Sequence, residues 1–277
     1  MKDNTMTKLA YDPDKIQVRL TENQDEIRAA QAIRYKVFYE EYGAQPNEEM
    51  LREKRDIDSY DTITDHLIVL DRDLPEGPSQ IVGTYRLLRR AVAEKYGQFY
   101  TSDEYNIESL LESGRDLLEL GRSCVLPDYR TRPVLQKLWE GIAHYVADYN
   151  IGLMFGCASL HGTDIDALSW QLSYLYHYHL APENLRPKAV ADRYVDMNIH
   201  PKEAIDQRAV FISLPPLIKG YIRLGGYIGD GAVIDRQFNT TDVCIVLPSA
   251  QVKEKYVRHY ERKTNKIIPA GEKLGSL

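Results

Sequence analysis

Residues 117–139 read LLELGRSCVLPDYRTRPVLQKLW, and this stretch decides the fold. Leu117 to Leu126 is an apolar, strand-like run that Pro127 and a short polar loop bring to an end. Pro133 then suits the first turn of a helix running to about Tyr149, and Ile151 to Ser159 reads as the next strand. Two charges interrupt the first run, Glu119 and Arg122. Ionised side chains in a core-forming strand are costly unless they are paired or used.

The same anomaly recurs upstream. Arg34 falls on a helix face shared with Ala30, Val37, Phe38 and Glu41, and Arg86 is embedded in the run Ile81 to Leu88. Between them lie Asp56, Asp58 and Asp61. Cations and carboxylates converging on one pocket can hold an amino acid by both its ends. The plainer reading is a set of internal ion pairs, Arg34 with Asp61 or Glu119 with Arg122, bracing the fold. It weakens for the set as a whole, because several such networks in one half of a domain are expensive.

The remaining elements are legible from periodicity and punctuation. Ile16 to Leu20 is a short strand, and Thr21 caps a helix through about Glu41, stopped by Gly43. A short helix is expected at Glu48 to Lys54, a strand at Asp65 to Asp71, and, after the turn-rich DRDLPEGPSQ, a strand from Ile81 to Arg90. Residues 91–115 look helical and inserted, and the polar residues 181–204 look inserted. Thr163 and Asp166 resemble a cap before a helix with Ile165, Leu168, Leu172 and Leu175 on its inner face. Ala209 to Leu214 is expected as a strand, Pro216 to Leu224 as a helix and Val243 to Leu247 as the last strand, with Gly225, Gly226, Gly229 and Gly231 as turn punctuation. The fold class is α/β, a mixed central sheet with helices on both faces. One domain is expected at 16–250, after a polar segment 1–15 and before a basic tail 251–277.

Composition excludes several classes. No apolar run reaches the roughly 18 residues of a membrane span, and Met1 to Asp14 lacks the apolar core of a signal peptide. Cys124, Cys157 and Cys244 have no metal spacing and read as free thiols in a reducing cytoplasm. His177 and His179, two apart on a helix, face different ways and make no metal site. His66 reads as a satisfied core histidine. A net charge of −6 argues against nucleic acid as a partner. The tail from Gln251 carries seven Lys or Arg against three Glu, which fits a solvated helix or peripheral contact with an anionic membrane.

The element order together with the charged set resembles the GCN5-related N-acyltransferase (GNAT) superfamily. Within it the set resembles the autoinducer synthases. The strings IRYKVFYEEYGA, DHLIVLD, GTYRLLRR, ELGRSCVLPDYRT, LWEGIAHY, GCASLHGTD and PPLIKGYIRLGG are more similar to the ornithine-acyl carrier protein N-acyltransferases of lyso-ornithine lipid synthesis. The likeness covers roughly residues 27–248. It implies transfer of a long, 3-hydroxylated acyl chain from acyl carrier protein to the α-amine of L-ornithine. No cofactor is bound permanently, and the acyl-phosphopantetheine of the carrier is the donor. A cytoplasmic protein, peripheral on the inner membrane face, follows from the same reading.

Chemistry then distributes roles. An α-amine has a pKa near 8 and must lose a proton before it attacks a thioester. Glu119 is the first candidate for that base, with Arg122, Asp58 and Asp61 completing the catalytic set. Arg34, Phe38 and Arg86 are expected to bind the acceptor, the arginines by forking its carboxylate. On the donor side, amides near Cys124, Val125 and Leu126 are expected to hold the oxyanion, with Arg130 and Arg132 beside the phosphate. The usual glycine-rich phosphate loop of the superfamily is replaced by RTRPVL at residues 130–135. Without glycines the backbone cannot wrap a coenzyme A pyrophosphate, whereas a carrier protein presents a single phosphodiester. Arg89, Arg90, Arg130, Arg132 and Lys137 are placed to meet an acidic carrier. Tyr174 is a candidate to protonate the leaving thiolate.

The rival enzyme reading, an acyl-homoserine-lactone synthase, expects a tryptophan soon after Arg34-x3-Phe38, yet the first tryptophan here is Trp139. A non-catalytic lipid or carrier-protein binder is disfavoured by the retention of Glu119, Arg122, Asp58 and Asp61.

Overall fold

The computed structural model describes residues 12–251. In chain order the elements are β1 (Ile16–Leu20), α1 (Gln24–Tyr35), α2 (Glu48–Glu53), β2 (Asp65–Asp71), β3 (Ile81–Arg89), α3 (Arg90–Tyr96), β4 (Tyr105–Asn106), the single turn α4 (Glu108–Leu111) and β5 (Leu117–Val125). There follow α5 (Arg132–Asp148), β6 (Leu153–His161), α6 (Ile165–His179), β7 (Lys188–Ala189), β8 (Tyr194–Val195), α7 (Gln207–Ser213), α8 (Pro216–Arg223), β9 (Tyr227–Asp235) and β10 (Thr240–Pro248). The sheet runs β1-β2-β3-β5-β6-β10-β9-β7-β4, with β8 paired to β9. The expected α/β class with a mixed sheet is what the chain adopts.

The antiparallel ladder β1-β2-β3-β5 meets the rest of the sheet, antiparallel except for a parallel β7–β9 bridge, at a short parallel seam. There β5 and β6 pair only at Leu117 with Leu153, Leu118 with Met154 and Glu119 with Phe155, and then part. Gly156 sits at the parting point, where a Cβ would lie 2.2 Å from the Leu120 carbonyl oxygen, so no other residue fits. The outer edge of β5 beyond Glu119 is thereby left unpaired towards β6, opening a wedge in the sheet.

Apolar residues of both faces are covered. One core joins Leu67, Val69, Leu118, Leu120, Met154 and Ile245 with the inner faces of α5, α6 and α8. On the opposite face α1 packs Ala30, Ile33 and Val37 on Ile68, Leu70, Ile81 and Cys124. The segment between α3 and β5 covers the rest of that face through Phe99, Tyr105, Ile107 and Leu110. Burying such side chains contributes about 1.5–3 kcal/mol each.

Several expected boundaries differ for local reasons. Asn23, not Thr21, caps α1 by accepting the Glu26 N–H, and after Tyr35 the helix widens into a π turn, Lys36–Glu41. Asp164 caps α6 instead of Thr163 with Asp166. The AVFISL run is helix α7, not a strand: Asp206 caps it, and it buries Val210 while leaving Ile212 65% exposed. Conversely, β9 runs straight through Gly229 and Gly231. Its pairing with β10 shifts register between Val243 and Ile245, and Gly231, at φ +83°, occupies the bulge. The segments at 91–115 and 181–204 supply β4, β7 and β8 to the sheet edge. No described helix is long and apolar enough to cross a membrane. The segment before residue 12 and the basic tail after residue 251 lie outside the described residues.

Candidate active site

The aspartate cluster is built by one tight loop. At the 3-10 turn Ser59–Thr62, Asp58 accepts the Tyr60 N–H at 2.9 Å and Asp61 accepts the Asp58 N–H at 3.2 Å, a reciprocal capping box. Arg34 on α1 enters from above, with Nε 2.7 Å from Asp56 Oδ2 and Nη2 2.8 Å from both oxygens of Asp61. Tyr39 donates to Asp56 and Gln31 to Asp61. Arg86 on β3 reaches Asp58 at 2.6 Å and Asp61 at 3.3 Å. Burial alone would raise the Asp56 and Asp61 carboxyls. The guanidiniums of Arg122, Arg34 and Arg86 overcome it at Asp56, and those of Arg34 and Arg86 at Asp61, holding both below the usual range. Arg34 and Asp56 are fully buried and Asp61 nearly so. Arg34, expected at the acceptor, and Asp61, expected in the catalytic set, are paired with each other in the interior of this structure. His66 donates from Nε2 to the Asp61 carbonyl oxygen at 3.0 Å, as a core histidine does.

Arg122 links the braces to open space. The β3–β5 pairing steps from Thr84 with Cys124 to Arg86 with Gly121, so Arg122 sits in a bulge at φ +49°. That left-handed backbone costs a non-glycine residue about 1 kcal/mol. It turns the guanidinium onto the sheet face that carries Arg86 and Glu119. There it contacts Asp56 at 3.2 Å, Asp58 at 3.3 Å and the Tyr100 hydroxyl at 3.2 Å, and lies 4.6 Å from the Phe238 ring centre. Phe38 is half-buried and meets Phe238 edge to face. Asp58 and Arg122 are thus the partly open members of the set.

Glu119 stands at the last paired position before β5 and β6 part. Its carboxylate accepts the N–H groups of Tyr100 and Thr101, fastening the segment after α3 to the wedge. Burial raises its pKa, and the Thr101 and Tyr100 donors pull partly against that. Beside it, on β6, the Cys157 thiol donates to Glu104 Oε2 at 3.2 Å. Glu104 also takes Arg193 at 3.1 Å, and its carboxylate forms a trio with Asp235 and Asp242, whose oxygens all lie within 4.8 Å of one another. A cavity of about 420 Å³ opens over the trio, lined by Tyr100, Asp103, Glu104, Arg193, Asp235 and Arg236 among others. A larger one, about 1220 Å³, lies at the β4–β7 edge; only the smaller is lined by a residue bonded to the wedge, Tyr100, whose N–H donates to Glu119. The trio was not foreseen. Asp242 opens the apolar run DVCIVLP, the same anomaly as Glu119, but starting the last strand at Val243 left it outside.

The donor side is less preformed. The Leu126 N–H donates to the Val82 carbonyl, so it is not free for an oxyanion. Cys124 points under α1, and burial pushes its thiol up to about 12. Val125, half-buried, accepts Arg130 Nε at its carbonyl, while the rest of Arg130 forks Glu41. Arg89, Arg90 and Lys137 likewise have local partners, Asp65, Glu94 and Glu140. Arg132 is exposed at the start of α5, whose first turn has no side-chain cap, and makes no ion pair among the described residues. Tyr174 is buried on α6 and bonds His179, which desolvation holds down to about 4 and hence neutral. His177 is engaged by the His200 carbonyl.

Residues 33–140 match the acetyltransferase (GNAT) domain family. An L-ornithine N(alpha)-acyltransferase of Brucella abortus (strain 2308) is 45% identical over 256 residues, 91% of each chain. That of Rhizobium meliloti (strain 1021) is 46% identical over 248 residues, 88% of this chain and 84% of the relative. Among solved structures, an N-acyl amino acid synthase from uncultured soil microbes is similar at a TM-score of 0.46 and 11% identity, over 92% of this chain and 96% of that one. Near-half identity along nine-tenths of the chain is decisive: the chain belongs to the L-ornithine N(alpha)-acyltransferase family of GNAT acyltransferases.

Proposed function

We propose that the protein acylates the α-amine of L-ornithine with the acyl group of an acyl carrier protein. The observation that carries this is 45% identity, over 91% of the chain, to a named L-ornithine N(alpha)-acyltransferase, in a fold whose β5–β6 wedge has a buried carboxylate, Glu119, at its apex. A thioester lies along the unpaired edge of β5, and the amine approaches from the Tyr100 side. The nitrogen attacks the carbonyl carbon, forming the C–N bond. The C–S bond then breaks, the amine proton passes to a carboxylate, and the thiolate leaves and is protonated. Glu119 is the proton acceptor in this scheme, at the apex of the wedge and with its affinity for a proton raised by burial. Arg122, braced by Asp56 and Asp58, places its positive charge beside the acceptor's carboxylate.

A carrier-borne donor is favoured over coenzyme A by the start of α5. Pro133 removes one N–H from its first turn, and no glycine precedes it in the loop. Arg132 is the exposed cation left to meet the single phosphodiester. The test is a mass-spectrometric screen of purified protein with amino-acid acceptors and either acyl-carrier protein or acyl-coenzyme A. The expected product is acyl-ornithine from the carrier-bound donor. Reaction of acetyl-coenzyme A with a polyamine or peptide, and none with ornithine, would overturn the proposal.

A further inference from the structure

We propose that Glu104, Asp235 and Asp242, with the hydroxyl of Thr240, form the seat for the second, non-reacting ammonium of a diamino acid acceptor. The inference rests on the reading that the acceptor is ornithine and assigns the residues that distinguish it from a mono-amino acid.

Four observations point to a cationic occupant. First, the cluster is incomplete. Asp242 and Thr240 are 7% and 6% exposed, and Asp242 Oδ1 and Thr240 Oγ1 are buried without a well-formed hydrogen bond, although the Ser159 and Thr240 hydroxyls lie close enough to the Asp242 carboxylate to offset part of its raised pKa. Leaving such atoms unmet costs about 1–3 kcal/mol each. Second, the charge is unbalanced, because three carboxylates meet one close guanidinium, that of Arg193 on Glu104. Burial raises the pKa of both Glu104 and Asp242, and each carboxylate's repulsion by its acidic neighbours adds to this.

Third, the spacing suits an ammonium. A point at the centre of a triangle with 4.8 Å sides lies at most about 2.8 Å from each corner. That is an N–H···O distance, and a primary ammonium carries three donors to spend on three carboxylates. Magnesium and calcium take oxygens at about 2.0–2.6 Å. Fourth, the place is right. Asp242 lies opposite Ser159 of β6, which borders the wedge, and Glu104 touches Cys157 on the same strand. One strand spacing is about 4.8 Å, and the two nitrogens of extended ornithine are about 6 Å apart. The trio is reached from the Cys157 stretch of the wedge, two residues beyond the Phe155 partner of Glu119, where Glu104 enters; an α-amine there has the δ-ammonium within reach of the trio, with Arg236 at the cavity rim.

The test compares L-ornithine with L-norvaline, its analogue lacking only the δ-amine, as acceptors for the wild type, Asp242→Asn and Thr240→Val. The wild type is expected to favour ornithine at least about 100-fold in kcat/KM, as sites built around a polar group do. Asp242→Asn should remove most of that preference, chiefly through KM for ornithine, with norvaline changed by less than about threefold; Thr240→Val should act in the same direction and less. Equal losses on both acceptors, or no loss on either, would overturn the seat. Because a variant can misfold, the wild type alone provides a second reading: ornithine should raise its thermal midpoint and norvaline should not. Stabilisation by magnesium or calcium, with activity abolished by a chelator, would make the cluster a metal site and also overturn the proposal. If the wild type acylates neither compound but does acylate another amine, the ornithine reading fails by itself. The seat then stands if that amine carries a second cationic nitrogen and loses it as a determinant in Asp242→Asn, and falls if it carries none.

Discussion

Two charged clusters share one face of the sheet, and they are built on opposite principles. Around Arg34, three arginines (34, 86 and 122) meet three aspartates (56, 58 and 61), so the charges balance, although Arg34 Nη1 is buried without a partner. Around Asp242, three carboxylates meet one arginine, and two buried oxygens have no well-formed hydrogen bond. A charge-balanced network holds a loop in place. An unbalanced one stores a binding site. The paired cluster carries the motif that resembles the family; the unpaired one distinguishes the acceptor.

Breaking the first cluster should have the largest effect on stability. Arg34→Met leaves Asp56 and Asp61 buried beside one cation fewer, at a cost of about 3–5 kcal/mol, or roughly 10 °C in Tm. A Tm within a degree or two of wild type would show that the network is not a brace. Next comes Glu119→Gln, which removes the base and keeps an acceptor oxygen for only one of the Tyr100 and Thr101 N–H groups. Turnover should fall about 100-fold or more while KM for ornithine changes little. Unchanged turnover would remove Glu119 from proton transfer.

The second cluster should respond with the opposite sign. A carboxyl whose pKa is raised on folding stabilises the fold below its unfolded pKa, and that contribution is lost as the pH rises through the folded one. Burial, then acidic neighbours, raise Glu104, which faces Cys157, Arg193, Asp235 and Asp242. Burial likewise raises Asp242, which faces Ser159, Thr240, Asp235 and Arg122. The ligand-free protein should therefore lose stability from about pH 5 upwards, and ornithine should restore more of it at pH 8 than at pH 6. Asp242→Asn should equal or exceed the wild-type Tm at pH 8 without ornithine, and a marked decrease would place Asp242 among the braces. The smallest effects belong to the donor side. Arg130→Ala should cost less than about 1 kcal/mol, since its pair with Glu41 is half-exposed. Arg132→Ala should leave Tm alone and raise KM for the acyl-carrier protein severalfold, which steady-state kinetics against donor concentration would check.

The same contrast marks how far the sequence could be read. Arg34, the aspartates, Arg86, Glu119 and Arg122 were visible because charges in apolar runs are anomalous one residue at a time. Whether such a charge is sealed or open depends on partners far along the chain. Arg34 and Asp61, 27 positions apart, bury each other completely, which no local pattern displays. The trio was hidden for a similar reason. Glu104 lies in an irregular segment, Asp235 at a strand end and Asp242 at the start of an apolar run, and only the sheet order brings them together. Element order was largely legible from turn residues and apolar runs. It failed where glycines sat inside a bulged strand, at Gly229 and Gly231, and where a one-sided apolar run became α7.

The most direct test is the position of the acyl group in the product made from ornithine and an acyl-carrier protein. Fragmentation of the product should place the acyl chain on the α-nitrogen and leave the δ-amine free, because the trio holds that end away from the wedge. A δ-acylated product, or no acyl-ornithine at all, would contradict the account.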